Sequence, residues 1–438
     1  PKLTFLRDLP CPHCGITATF RHNQHTPANA LGLRYQGSSQ DQWAERVTAV
    51  TDPLQPDLGN ASGGRLLMFR RFFSQGSTAP AVARFTALTT GLLTTGLVLA
   101  ACGGTSGGET STTVDTNGDP VVVRVITHDS FALTESLVAD FEAENNIVLE
   151  LIAAGDAGEI VNRAVLAAGN PDGDVLFGVD TTLLSRAIDA DVFDPYVADA
   201  PLRPELVAAG LGVVTPVDDG DVCINLDDAW FADNDVAPPT TLADLTKPAY
   251  ADLLVVQNPA TSSPGLAFLM ATVARFGDDW PTYWQDLRDN GVEVVNGWSE
   301  AYQGQFSAGG GSGDRPIVVS YATSPPAEIV YAADPKPTRP STSVMLDGCY
   351  RQIEFAGVLR GTPVAEAAKI VVDWLVSEPV QEDFPLSMFV FPAREGVALP
   401  TVFTNFAKRV DAPLEIDPAT IAAQRETWVE EWTQIVLR

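Results

Sequence analysis

VVVRVI at Val121–Ile126, IVLELI at Ile147–Ile152 and VLFGV at Val175–Val179 are three runs of strand length in which apolar and β-branched residues dominate. Between them, apolar residues such as Leu137 and Phe141 recur at the spacing of a helix. Strands that alternate with helices indicate a largely parallel sheet with helices on both faces. The fold class that this stretch predicts is therefore α/β.

A second α/β set begins near Asp218, with strand-like runs at Leu253–Val256, Val292–Val295 and Ile317–Val319. The chain has 438 residues, which is long for a single hydrophobic core. We therefore expect two lobes that share the chain between them. Lobe 1 comprises residues 121–217 and 352–438, and lobe 2 comprises residues 218–351.

Two helices are predicted near the C-terminus. One covers Pro363–Val376, and the last helix begins after Asp417, a favourable capping residue. In the last helix, Trp428 and Trp432 lie one turn apart on one face. We expect these two side chains to pack as a seam against a lobe, and not to bind a ligand.

Polar residues follow each of the three strands predicted in lobe 1. His128 follows the first, Asp156 follows the second, and Asp180 ends the third. Ligands in parallel sheets bind at the carboxyl ends of the strands. The three side chains are therefore predicted to converge on one edge of the sheet.

An export signal is predicted ahead of this body. Leu99-Ala100-Ala101-Cys102 closes an apolar run that follows a basic segment, and it resembles a bacterial lipobox, whose cysteine is acylated. We expect residues 68–101 to be a signal peptide, Cys102 to carry the lipid, and residues 102–120 to form a flexible tether. Residues 1–67, which precede the first Met, are expected to be a disordered over-extension of the reading frame. The mature protein would then be extracytoplasmic and anchored to the cell membrane.

The composition excludes some classes of protein. The formal net charge is −29, and the excess of acidic residues lies after residue 102, which argues against a nucleic-acid binder. The segment Cys11-Pro12-His13-Cys14, followed by His22 and His25, does not have the spacing of a zinc finger, because too few residues separate the cysteine pair from these histidines. We therefore predict no metal site, no cofactor and no nucleic-acid partner.

Five motifs together resemble one family, the thiamine-binding proteins of bacterial ABC transporters. In chain order, the motifs are Thr127–Phe131, Asn258–Leu266, Gly297–Tyr302, Ser320–Pro325 and Ala422–Trp432. The resemblance implies a two-lobed periplasmic-binding-protein-like fold of type II, with a ligand cleft between the lobes. It also implies that the protein binds thiamine, thiamine monophosphate and thiamine diphosphate and delivers them to an ABC permease. The protein would act as a monomer and would have no enzymatic activity.

The resemblance also carries the ligand contacts of the family onto ten positions of this chain. They are Asp156, Ala157, Ser262, Ser263, Trp298, Tyr321, Ala322, Thr323, Ser324 and Pro325. Thiamine bears a permanent thiazolium cation, which Trp298 and Tyr321 would stack upon and Asp156 or Asp180 would balance. The alternative is that Trp298 and Tyr321 are core residues of the interface between the lobes.

Three positions depart from the family. Phe389 stands where the family has Trp, His128 stands where it has Tyr, and Ala327 replaces a second Tyr. We expect a roomier cavity, or a different preference among thiamine and its phosphates. His128 would add a contact that depends on pH, or it would be a hydrogen-bonded histidine at the end of a strand.

After removal of the leader and acylation of Cys102, only Cys223 and Cys349 remain as cysteines. Two strands lie side by side at the hinge of such folds, so the resemblance favours a disulfide between them over two free thiols. One alternative function is a secreted thiamine-degrading enzyme of the thiaminase type, with Cys223 as its nucleophile. Another is a ferric-iron or polyamine binding protein of the same fold.

Overall fold

The computed structural model describes residues 7–10, 17–20, 118–310 and 313–438. Before residue 118 it describes only two short strands, β1 (Arg7–Pro10) and β2 (Thr17–Phe20), which pair antiparallel within a separate unit. The predicted signal peptide, Cys102 and most of the predicted tether lie outside the described residues. Within the described parts, every helix is too short or too polar to cross a membrane.

One mixed sheet runs through both lobes. Its strands are β3 (Val121–Thr127), β4 (Ile147–Ala153), β5 (Val175–Asp180), β6 (Phe193–Asp194), β7 (Thr215–Asp227), β8 (Leu254–Gln257), β9 (Glu293–Val295), β10 (Ile317–Tyr321), β11 (Thr342–Leu359) and β12 (Phe391–Pro392). The main order is β4-β3-β5-β11-β7-β10-β8-β9, while β6 pairs with β11 and β12 with β7.

Helices cover the sheet on both sides. They are α1 (Glu135–Asn145), α2 (Ala157–Leu166), α3 (Leu184–Asp189), α4 (Pro204–Ala209), α5 (Asp228–Asp233), α6 (Ser263–Phe276), α7 (Trp280–Asp289), α8 (Ala327–Val330), α9 (Ala365–Leu375), α10 (Glu378–Ser387), α11 (Thr401–Phe406) and α12 (Pro418–Val436). A single π-helical turn covers Glu300–Gln305. The helix predicted over residues 363–376 covers only Ala365–Leu375, and ahead of it the Thr362 hydroxyl donates a hydrogen bond to Asp174 and accepts one from the N–H of Val364.

The sheet is not largely parallel, in contrast to our expectation. The outer strands of each lobe are parallel, as predicted, but β7 and β11 are long and run antiparallel to each other and to their neighbours. Both strands pass from one lobe to the other, so they join the lobes at the middle of the sheet. The carboxyl ends of β3, β4 and β5 and those of β8, β9 and β10 consequently face the same cleft.

The last helix connects the lobes on the outside. Trp432 of α12 is fully buried and meets Trp284 of α7 edge to face, with 5.4 Å between the ring centroids. Trp428 is partly buried against the same core. At the other lobe, Arg425 of α12 donates a hydrogen bond to the hydroxyl of Ser185, in α3. The two tryptophans thus form the packing seam that the sequence predicted.

Candidate functional site

Asp156 holds the two lobes together at the cleft. It is the N-cap of α2, and its Oδ1 accepts hydrogen bonds from the backbone N–H of Ala157 at 2.6 Å and of Ser263 at 3.1 Å. Its Oδ2 accepts a third from the N–H of Trp298 at 2.8 Å. Ser263 and Trp298 belong to lobe 2, so this carboxylate bridges the cleft. Burial raises the pKa of Asp156 to about 6, although the N–H donors oppose this shift.

Backbone contacts beside Asp156 also cross the cleft. The N–H of Glu159 donates to the carbonyl of Thr261 at 3.0 Å, and the Asn162 amide donates to the carbonyl of Ala260 at 3.2 Å. Gly158 makes this approach possible, because a Cβ there would lie 2.5 Å from the Thr261 carbonyl. The lobes are therefore in direct contact at this point, and the cleft is closed in this structure.

Trp298 forms an aromatic wall on the lobe 2 side. Its indole stacks on the ring of Tyr302, with centroids 5.0 Å apart and an angle of 12° between the planes. Its Nε1 donates a hydrogen bond to the Ser320 hydroxyl at 2.9 Å. Ser320 in turn bonds to the hydroxyl of Ser324 at 2.9 Å. Stacking and hydrogen bonding together fix the orientation of the indole, which remains partly exposed.

Tyr321 lies over the middle of the sheet. Its hydroxyl donates a hydrogen bond to Oε1 of Gln352 at 2.7 Å, and its ring sits against Gly220, where a Cβ would lie 3.0 Å from the ring. Burial and the nearby carboxylates of Glu354 and Asp156 raise the pKa of Tyr321 well above its ordinary value. The hydroxyl therefore stays protonated and acts as a hydrogen-bond donor.

The residues that follow Tyr321 have three different environments. Thr323 is fully buried, and its hydroxyl has no partner among the described residues. Ala322 packs beside the disulfide that joins Cys223 to Cys349, whose Cα atoms are 4.3 Å apart. The predicted disulfide is thus confirmed. Pro325 lines a separate groove of about 300 Å³ that lies outside the closed cleft.

His128 and Asp180 both approach the central strands from lobe 1. His128 Nε2 lies 3.3 Å from a carboxylate oxygen of Glu354, and Nδ1 lies 2.9 Å from the Ser130 hydroxyl. Burial opposes protonation of His128, but the Glu354 carboxylate outweighs it, and the pKa of His128 is raised. Oδ1 of Asp180 accepts hydrogen bonds from the N–H and hydroxyl of Thr182, at 3.1 and 2.7 Å. Burial raises the pKa of Asp180 to about 6.

Gln352 connects these groups, although the sequence did not identify it. Its amide donates hydrogen bonds to Asp180 and, at 2.9 Å, to the hydroxyl of Ser263, while it accepts the bond from Tyr321. Gln352 lies on β11, one of the two strands that join the lobes. Ser262 has a structural role, since it caps α6 and its side chain accepts from the N–H of Gly265 at 3.4 Å.

Phe389 faces an aromatic residue of lobe 2. Its ring meets that of Tyr331 with 5.6 Å between the centroids. Phe389 has a φ of 55°, which is unusual for a residue with a large side chain. Tyr331 is about half exposed and follows α8, one turn after Ala327. The pair therefore brings an aromatic ring from each lobe together, which the sequence did not predict.

Comparison with known proteins defines the class. Residues 171–414 match the family model of the bacterial extracellular solute-binding proteins, and the chain belongs to this family. Membership is typical of a protein that binds a solute outside the cytoplasm. The predicted two-lobed α/β fold is confirmed by this match and by the solved structures of periplasmic binding proteins.

Particular relatives are similar over almost their whole length. The thiamine-binding periplasmic protein of Escherichia coli strain K12 is 32% identical over 326 residues, which cover 72% of this chain and 94% of that protein. Its counterpart from Salmonella typhimurium strain LT2 is 31% identical over 325 residues, with the same two coverages. A solved periplasmic thiamin binding protein is 29% identical, with a TM-score of 0.63 and coverages of 73% and 97%. The resemblance noted from the motifs is thereby confirmed.

Proposed function

We propose that this chain binds thiamine between lobe 1 and lobe 2 and delivers it to an ABC permease. The observation that carries the proposal is the fixed indole of Trp298, which is stacked on Tyr302, while the backbone N–H of the same residue donates a hydrogen bond to the buried carboxylate of Asp156. A rigid aromatic face near negative charge suits a flat organic cation, such as the thiazolium ring of thiamine. The thiamine-binding relatives, named for that ligand, support the same choice.

Replacement of the indole tests this proposal. In Trp298→Ala, thiamine should bind at least about tenfold more weakly, because the aromatic face and its buried area are lost together. Trp298→Phe should lose less. Trp428→Ala is the matched control, since that tryptophan packs in the seam of α12, and it should lower the melting temperature but leave the affinity unchanged. A folded Trp298→Ala protein with the affinity of the parent would exclude the proposed site.

Thiamine monophosphate and diphosphate are part of the proposal. The N–H groups of Ala157, Ser263 and Trp298 converge at the start of α2, an arrangement that suits an anion. The Asp156 carboxylate holds these donors in this structure, so a phosphate group would compete with it. We therefore expect thiamine to bind more tightly than its phosphates at neutral pH, and titration calorimetry with the three ligands measures the order.

Anchoring through a lipid on Cys102 is likewise proposed. The support is the sequence Leu99-Ala100-Ala101-Cys102 after an apolar run. Replacement of Cys102 by Ala should release the protein from the membrane fraction, where the parent should remain. We also propose that the chain acts as a monomer, which sedimentation of the purified protein measures.

The alternatives have less support. A thiaminase mechanism through Cys223 requires a free thiol, but Cys223 is bonded to Cys349. Among the residues that the structure describes, no three His, Cys, Asp or Glu side chains are grouped to hold a metal ion such as ferric iron. Spermidine and ferric citrate serve as competing ligands in the titration, and preferential binding of either would replace thiamine as the ligand.

A further inference from the structure

Three carboxylates form a row across the strands that join the lobes. Glu354 on β11 is directly opposite Asp180 on β5 and directly opposite Asp218 on β7. Residues opposite each other in a sheet project from the same face, so the three side chains are neighbours. Asp180 and Asp218 are buried, and the Glu354 side chain is 14% exposed. Like charges on residues that lie directly opposite each other destabilise a sheet, so three acidic side chains in such a row are unfavourable for stability.

Asp180 is satisfied within the protein. Its Oδ1 accepts hydrogen bonds from Thr182 and from the N–H of Leu183 at 3.1 Å, and its Oδ2 accepts one from the amide of Gln352. These donors balance the charge of Asp180 and fix the chain at the start of α3. Asp156 is similar, since its carboxylate holds three backbone N–H groups. Both carboxylates therefore have donors of their own within the protein.

Asp218 differs from the acidic residues next to it in the chain. Asp219 accepts hydrogen bonds from Arg409 at 2.5 and 3.1 Å, and Asp221 accepts them from Arg351 at 2.5 and 3.2 Å. These residues alternate with Asp218 along β7, so they project to the other face of the sheet. Asp218 is 3% exposed, yet its Oδ2 has no hydrogen-bond partner among the described residues. An unpartnered buried oxygen of this kind is costly in a folded protein.

The surroundings of Asp218 and Glu354 suit an organic cation. The ring of Tyr321 lies against Gly220, which is two residues after Asp218 on the same face of β7. His128 lies on the other side of Glu354. Burial, together with the charge of the Glu354 carboxyl and a hydrogen bond to it, holds the pKa of Asp218 well above its ordinary range although the positive charge of Arg203 opposes this shift, as expected for two acids that share a proton. An aromatic face and two opposed carboxyls therefore lie together, and His128 is the one cationic partner of Glu354 among the groups named here.

We propose that Glu354 and Asp218 form the anionic base of the ligand cleft and select a ligand whose flat ring carries a permanent positive charge. The proposal rests on the proposed function and extends it, because it assigns charge selection to two residues outside the motifs. Asp156 then closes the cleft, and Asp180 orders α3. A cation bound against Tyr321 would relieve the repulsion between the two opposed carboxyls.

The test compares two ligands that differ in charge. Calorimetry of the full chain at neutral pH uses thiamine and the analogue in which an uncharged triazole ring replaces the thiazolium. The parent should bind thiamine about tenfold or more tightly than the analogue. In Glu354→Gln, this preference should fall to about twofold or less, through weaker binding of thiamine and unchanged binding of the analogue. Asp218→Asn should reduce the preference in the same direction.

Glu366→Gln is the matched control, because it removes the same charge from an exposed residue of α9 that pairs with Lys369. It should keep the preference of the parent. Because Glu354→Gln also removes the carboxylate partner of His128, thermal unfolding checks that this variant is folded before its ligand preference is compared with that of the parent. Equal binding of both ligands by the parent would overturn the inference without any variant. A Glu354→Gln protein with the parent's preference would overturn it too and leave the proposed function intact, whereas a parent that binds neither ligand would overturn both.

Discussion

Gly158→Ala is expected to prevent full closure of the cleft without harm to the fold. Gly158 lies in the first turn of α2, on the lobe 1 side. A Cβ at this position would lie 2.5 Å from both the carbonyl carbon and the carbonyl oxygen of Thr261, and 3.0 Å from the nitrogen of Ser262. Carbon atoms make favourable contact at about 3.5 to 4.0 Å. The backbone of lobe 2 would have to move away by about 1 Å.

The magnitude follows from the hydrogen bonds that cross the cleft at this point. Asp156 accepts two of them, from Ser263 and Trp298, and the others join Glu159 to Thr261 and Asn162 to Ala260. If two to four are lost at about 1 kcal/mol each, the closed state is destabilised by about 2 to 4 kcal/mol. Because a ligand held between the lobes is bound by the closed state, its affinity should fall by about 30-fold to 1,000-fold.

The assay measures affinity and stability on the same protein. Titration calorimetry gives the affinity for thiamine, and thermal unfolding should show no loss, since alanine favours a helix over glycine by about 0.5 to 1 kcal/mol. Gly304→Ala is the matched control, because a Cβ there has no atom within 4 Å. Small-angle scattering should report a more open Gly158→Ala protein in the presence of ligand. If a folded Gly158→Ala protein binds thiamine with the affinity of the parent, the closed arrangement of the lobes in this structure is not the state that binds the ligand.

The remaining predictions concern pH, the disulfide and the position of Tyr321. Asp156 has a pKa of about 6, and its ionised carboxylate is the form that holds three N–H groups, so thiamine affinity should fall by about tenfold as the pH is lowered from about 7 to 5. The fall should be smaller in Asp156→Asn, and an unchanged profile in that variant would exclude Asp156 as its source. Without reductant, the mature protein should have no thiol that reacts with a maleimide, and replacement of both Cys223 and Cys349 by Ser should lower stability by about 2 to 5 kcal/mol. Gly220→Ala should weaken thiamine binding because the new Cβ displaces the ring of Tyr321, whereas the same change at Gly304 should not.

The sequence predicted the strand ends well because the signal there is local. A run of β-branched residues followed by a polar residue placed His128, Asp156 and Asp180 at the ends of β3, β4 and β5, and the structure brings them to one edge of the sheet. The cap of α12 was predicted for the same reason, since Asp417 and Pro418 are adjacent to the helix that they begin. Such patterns depend on neighbours in the chain and not on the rest of the fold.

The resemblance placed two strands side by side at the hinge, but their lengths and their antiparallel direction were not predicted, because the pairing is between distant segments. β11 covers 18 residues and runs antiparallel to both of its neighbours in the main order of the sheet. Gly348 and the polar residues within this segment weaken the usual strand pattern. Gln352 and Glu354 were therefore missed as site residues, although each of them contacts residues of the predicted site.

The roles of the individual carboxylates could not be read from the sequence for a related reason. Whether a buried carboxylate is available to a ligand depends on the donors that reach it, and these donors come from elsewhere in the chain. Asp156 receives them from Ser263 and Trp298, which are more than 100 residues away, and Asp219 receives them from Arg409. Asp218 adjoins Asp219 in the chain, yet the alternation of a strand turns it toward Glu354 and away from the arginines. Acidic residues that look equivalent in the sequence are thus divided by the fold into those that accept hydrogen bonds from distant donors and those, such as Asp218, with a buried oxygen that has no such donor among the described residues.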